Sequence, residues 1–150
     1  MAIDSHPRIG THRRVVIENV TPCVDGGRFA AKRCVGDTLD VEADAFADGH
    51  DRLRCRLLWR VAGTRHWEQA EMQALGNDRW RGAFGVPTLG AYEYTVVAWT
   101  DPLRTWLGDL ARWESPDDIA LSLALGATLV AGLSRRARGD DARTLAAWAT

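Results

Sequence analysis

The chain has 150 residues, a formal charge of −1, 46% hydrophobic residues and 26% charged ones. That balance suits one globular domain, or a domain with an appendage, and supplies no long-range field to draw nucleic acid or an anionic membrane. Met1 to Arg14 has charges with no apolar stretch behind them, so it does not read as a secretory signal.

Residues 1–13 read as a loose leader. Val15 to Val20 forms a first predicted strand, stopped by Thr21-Pro22 and the Asp25-Gly26-Gly27 turn. Arg28 to Val35 is read as a second, weaker strand ending at Gly36-Asp37. Thr38 to Phe46 alternates, with Leu39, Val41, Ala43 and Ala45 on one face and Asp40, Glu42 and Asp44 on the other. Arg52 to Val61 alternates again, placing Leu53, Cys55, Leu57, Trp59 and Val61 against Arg52, Arg54, Arg56 and Arg60. Trp67 to Gln73 supplies a further strand, and a tight turn at Gly76-Asn77-Asp78 leads to another with Trp80 and Phe84. Leu89-Gly90 then enters Tyr92 to Trp99. A Leu-Gly-x-Tyr-x-Tyr entry of this kind makes a tyrosine corner, in which a Tyr hydroxyl ties the corner to upstream backbone. Seven short strands between turns predict a mainly β chain, an immunoglobulin/fibronectin-like antiparallel sandwich over 14–101, with Trp59 as its central-strand tryptophan.

Beyond Trp99 the period changes. Asp101-Pro102 breaks the strand, and Leu103 to Glu114 has helical apolar spacing. Ser115-Pro116-Asp117-Asp118 is a helix start with Ser as N-cap, Pro at the first position and carboxylates on the positive dipole end. The helix that follows is apolar nearly all round and must be buried against something. Its longest apolar run, Ile119 to Leu133, falls short of the roughly 20 residues of a membrane span. Residues 102–150 thus form a helical appendage, with a last short segment opening at Gly139-Asp140-Asp141. No closing strand follows Trp99, so an open sheet edge beside an apolar helix is expected to belong to something larger.

Chemistry-bearing residues do not converge. Asp40, Glu42 and Asp44 lie on a strand face that antiparallel sandwiches leave wet, so they read as solvated and not as an acid–base pair. The Asp48-Gly49-His50-Asp51 loop lacks the dense oxygen ligands of a calcium site and reads as turn chemistry. His6, His12, His50 and His66 have no zinc spacing, and His66 reads as a strand-end residue. Three cysteines, Cys23, Cys34 and Cys55, form no CxxC pair, which points to free thiols and a cytoplasmic setting. Cys55 falls on the inward face as a small hydrophobe. No cofactor motif is present. The Arg stripe is expected to be solvated and partly paired, with Glu93 as one partner.

An apolar outer patch of Leu58, Val97 and Trp99 is expected. Three coverings compete for it: the chain's own helix, a partner subunit or a further part of the polypeptide, or a bound ligand. With Trp106 and Leu121, these residues are the candidate interface.

Arg14 to Pro22, Val24 to Arg28, Val35-Gly36-Asp37, Val41 to Asp44 and Phe46 to Asp51 follow one family in order. So do Leu75 to Trp80, Tyr92 to Val96, Ala98 to Asp101 and Thr105-Trp106. The chain resembles, from about Arg8 to about Leu125, the N-terminal domain of bacterial alpha-1,4-glucan:maltose-1-phosphate maltosyltransferases of the alpha-amylase clan. The resemblance implies a homodimeric enzyme that lengthens alpha-1,4-glucan from maltose 1-phosphate, with this sandwich at the dimer interface and helices inserted before its last strand. It places catalysis on a later (beta/alpha)8 barrel with an Asp nucleophile and a Glu acid/base. It implies no catalytic, cofactor or metal residue here and a chain that stops inside the helical insertion. The rival readings are a glucan-binding module and, with no nucleophile–base pair to support it, a self-sufficient enzyme.

Overall fold

A computed structural model describes residues 15–149. Seven strands, β1 (Val15–Thr21), β2 (Thr38–Ala47), β3 (Leu53–Val61), β4 (Glu68–Glu71), β5 (Gln73–Gly76), β6 (Arg79–Gly85) and β7 (Tyr92–Thr100), precede three helices. These are α1 (Pro102–Leu110), α2 (Pro116–Ser134) and α3 (Gly139–Trp148). The strands form two antiparallel sheets, ordered β1-β2-β6-β5 and β4-β3-β7. The chain is therefore a mainly β sandwich followed by a helical segment. The leader at 1–13 lies outside the described residues.

The core follows from the alternation. Leu39, Val41, Ala43 and Ala45 of β2 meet Cys55 and Leu57 of β3, Phe84 of β6 and Val96 of β7, all buried. Trp59 is half-buried and stacks on Phe84 with ring centroids 5.3 Å apart, and Tyr94 closes on the same ring at 5.9 Å. Gly82 sits where β6 runs closest to β3: a Cβ there would lie 3.0 Å from Met72 Cγ and 3.3 Å from Leu57.

Local chemistry explains most boundaries. The β5–β6 hairpin turns on Asn77 and Asp78, with φ of 47° and 61°, the paired left-handed conformations of a two-residue hairpin loop. In the tyrosine corner, the Tyr92 hydroxyl donates to the Thr88 carbonyl at 3.3 Å and lies 2.8 Å from Thr88 Oγ1. The Tyr94 hydroxyl donates to the Pro22 carbonyl, tying β7 to the chain leaving β1. Burial keeps that phenol protonated by raising its pKa.

Two strand expectations are corrected. Arg28 to Val35 is not a strand; only an isolated bridge joins Phe29 to Val24. Phe29 and Val35 are exposed, so this segment has no sheet face on which to bury its apolar residues. The run Trp67 to Gln73 is two strands. Glu68–Glu71 pairs with β3, then the chain crosses at buried Met72 and Gln73–Gly76 pairs with β6 in the other sheet. The Met72 amide donates to the Cys55 carbonyl at 3.0 Å across that step.

The helices differ from expectation in extent and burial. Asp101 caps α1 by accepting from the Arg104 amide at 3.0 Å, and Pro102 occupies the first turn, but the helix ends at Leu110. Ser115 stands at the N-cap of α2 with extended backbone, yet its hydroxyl makes no capping bond. Of α2 only Ser122, Gly126 and Val130 are buried, a stripe at four-residue spacing that faces its helical neighbours. α2 packs on α1 and α3.

Candidate functional site

The outer face of the β4-β3-β7 sheet is set by register. Arg54 lies opposite Trp99, Arg56 opposite Val97, Leu58 opposite Thr95 and Arg60 opposite Glu93. Arg60 Nε donates to Glu93 Oε2 at 2.7 Å, which is the pairing the sequence suggests. The same guanidinium sits 4.3 Å over the Trp67 ring, and that of Arg56 sits 5.1 Å over Trp99. Arg54 donates to Glu71, and that bond holds the Glu71 carboxyl below the usual carboxylate range. These pairs are exposed and stabilise little individually. They do leave an apolar strip between them: Leu58 and Trp99 half-buried, Val97 exposed.

The opposite outer face carries Asp40, Glu42 and Asp44, and it is not simply solvated. Arg79 on β6 bridges Glu42 and Asp44 at 3.0 and 2.9 Å, and Arg81 pairs with Asp40 at 2.9 Å. Asn19, at a bulge in β1 with φ of 50°, donates to Asp44 Oδ2 at 2.7 Å. Asp44 is held low first by Asn19 and then by Arg79. The carboxylates thus serve cross-strand pairing. Register supplies the Arg partners, which the alternation of one strand cannot show.

His50 and His66 are exposed, and His6 and His12 lie outside the described residues. Among the described residues no group of three or more His, Cys, Asp or Glu could hold a metal ion. Cys23 and Cys34 are exposed free thiols, whereas Cys55 is buried and burial pushes its thiol up from 9.0 to about 12. We expect iodoacetamide to modify Cys23 and Cys34 in the folded chain and to reach Cys55 only after unfolding, read by mass spectrometry. A raised folded pKa means the unfolded thiol ionises first. Its stabilisation is full below 9.0 and fades as pH climbs towards about 12. Urea midpoints across that window should fall more steeply for the parent than for Cys55→Ala; equal slopes would refute the assignment.

At the helical end, Trp106 is half-buried. Its Nε1 donates to the Ser122 carbonyl at 2.7 Å, and its ring lies over Gly126, where a Cβ would come within 2.1 Å. Trp106 is therefore committed to a seam within the chain. Leu121 is 64% exposed, Leu125 one turn further on is 58% exposed, and Leu123, on another side of the helix, is 50% exposed. By length and composition alone the 19-residue α2, with mean hydropathy 1.4, is long and apolar enough to cross a membrane. The apolar run Ile119 to Leu133 omits the first turn and final Ser of that helix, which is why it reads as too short. A separate cleft of about 450 Å³ opens at one end of the sandwich, lined by Trp59, Val61, Glu68, Pro87 and Tyr92.

These features define a β-sandwich bearing a helical appendage, with apolar surface on both parts. Residues 13–150 match the family model described as alpha-1,4-glucan:maltose-1-phosphate maltosyltransferase, domain N/S, and the chain belongs to that family. It is 45% identical over 134 residues to the alpha-1,4-glucan:maltose-1-phosphate maltosyltransferase of Chlorobaculum tepidum, covering 89% of this chain and 20% of that protein. It is 44% identical over 140 residues to the enzyme of the same name from Myxococcus xanthus, covering 87% and 21% respectively. With that of Methylacidiphilum infernorum it shares 39% identity over 119 residues, 79% of this chain and 18% of the relative. The chain thus spans about a fifth of the length of these curated relatives.

Proposed function

We propose that the chain is the non-catalytic sandwich portion of a cytoplasmic maltosyltransferase that extends alpha-1,4-glucan from maltose 1-phosphate. In this reading it holds a homodimer together and positions a catalytic barrel encoded elsewhere in the polypeptide. One observation carries it: α2 is apolar on every side but buried only at Ser122, Gly126 and Val130. Leu121, Leu123 and Leu125 remain in water, and soluble proteins seldom leave so much contiguous apolar surface bare. A second copy of α2, apposed through Leu121 and Leu125, would cover the face that those two share. The Leu58, Val97 and Trp99 strip offers a second contact, to the barrel or to the partner.

Sedimentation velocity tests the dimer. Leu121→Asp with Leu125→Asp should convert a dimer to monomers, while a dimer that survives both charges would reject α2 as its seat. Flotation of the parent chain with phospholipid vesicles is the competing outcome and would assign α2 to lipid instead.

The cleft at Trp59 and Tyr92 supports a second reading, an alpha-glucan binding module, since sugar rings stack on aromatic faces. Titration with maltoheptaose should then change tryptophan emission in the parent and not in Trp59→Leu; an unresponsive parent at millimolar sugar would remove it.

A further inference from the structure

The helices are joined to the sandwich by different forces from those that join them to each other. Trp106 lies so close over Gly126 that α1 and α2 share a packed seam, and α3 closes on α2. The ties between α1 and the sandwich are the close approach of Gly108 to the Arg52 guanidinium, where a Cβ would lie 2.6 Å from Nε, and a set of polar contacts. The Arg52 amide donates to Thr105 Oγ1 at 2.9 Å, and that hydroxyl donates in turn to the Asp101 carbonyl at 3.0 Å. Arg54 faces Asp101 at 3.8 Å and also bonds Glu71, while Arg56 stands 3.7 Å from the Glu71 carboxylate. Arg104, on the first turn of α1, adds a further positive charge near Glu71. No residue of the buried cluster comes from a helix.

We infer that α1, α2 and α3 form one arm hinged at Asp101 and Pro102, held at its angle by a Thr105 pin and an ionic collar of Arg54, Glu71 and Asp101. The adjacent residues Thr105 and Trp106 split two tasks. Thr105 holds the sandwich, and Trp106 holds α2. The arm therefore takes its direction in large part from a half-buried ion pair and one hydroxyl, of which salt can weaken the ion pair, and no residue of the buried sandwich core comes from it. Because Leu121 and Leu125 ride on the arm, the hinge aims the apolar surface that they present. The hinge is independent of what that surface binds.

Electron–electron double resonance reads the angle. Nitroxides are placed at Thr95→Cys on β7 and Arg135→Cys at the end of α2, both exposed sites, in a Cys23→Ser, Cys34→Ser chain. Dilution with unlabelled chain restricts the signal to distances within one molecule. The parent at low salt should give one narrow distance. Thr105→Val with Asp101→Asn and Glu71→Gln removes pin and collar, and Asp101→Asn keeps the cap of α1 because Asn caps helices as well as Asp does. In that triple variant at about 1 M salt, where the Debye length is roughly 3 Å, the distribution should broaden about twofold while the sandwich melts as before. A control, Glu93→Gln, breaks the Arg60 pair on the same face and should leave the width unchanged. An unbroadened triple variant would overturn the hinge, as would broadening by Glu93→Gln. Loss of the sandwich's melting transition in the triple variant would overturn it too, by making the arm part of the core.

Discussion

Leu57→Ala is expected to lower the unfolding free energy by about 2–5 kcal/mol. Leu57 is fully buried at the middle of β3, and its Cβ and Cδ2 lie against Gly82 on the facing sheet. Gly82 has no side chain that could turn into the space left behind, and Met72 already fills the other side. Relaxation into the cavity is therefore limited, which places the cost towards the upper part of the range. Urea denaturation followed by tryptophan emission measures it, with the midpoint falling at an unchanged slope. A loss below about 1 kcal/mol would mean that the two sheets can close the gap, against the packing described.

Gly126→Ala is expected to spring α1 from α2. Alanine is favoured over glycine within a helix by about 1 kcal/mol, so a bare propensity argument predicts a gain. The new Cβ would stand 2.1 to 2.8 Å from three atoms of the Trp106 ring, far inside contact distance. The rigid indole, fixed by its bond to the Ser122 carbonyl, has to leave. Overpacking of this kind costs about 1–3 kcal/mol and outweighs the propensity gain. Trp106 emission should shift to the red while the sandwich transition stays in place. Trp106→Ala should relieve the clash, so that the double variant recovers helix stability relative to Gly126→Ala alone. Additive losses in that double-mutant cycle would show that the two residues do not meet.

Much of the sandwich was legible because its strands obey a period of two. Thr38 to Phe46 and Arg52 to Arg60 each carry an inward and a paired face, Val61, expected inward, is exposed at the strand end, and Tyr92 announced its corner through Leu89-Gly90. What escaped was information held between strands. The Arg79 bridge to Glu42 and Asp44 joins residues 35 and more positions apart, and only the β2–β6 register brings them together. Arg28 to Val35 carries strand-like residues, but β1 and β2 pair directly and leave that segment outside both sheets. The interface candidates were legible as apolar residues, yet their fates differ. Trp106 is spent on Gly126, whereas Leu121 stays in water; helical periodicity cannot separate them when nearly every position of α2 is apolar.

Met72 gives the sandwich a property that neither sheet has alone. A single residue stitches the end of β4 in one layer to the start of β5 in the other, with no loop to give slack. Sliding one layer past its neighbour would have to pull that stitch, so the two layers are obliged to open and close as a pair. A cut in the backbone at that residue would undo the obligation while leaving every other turn intact.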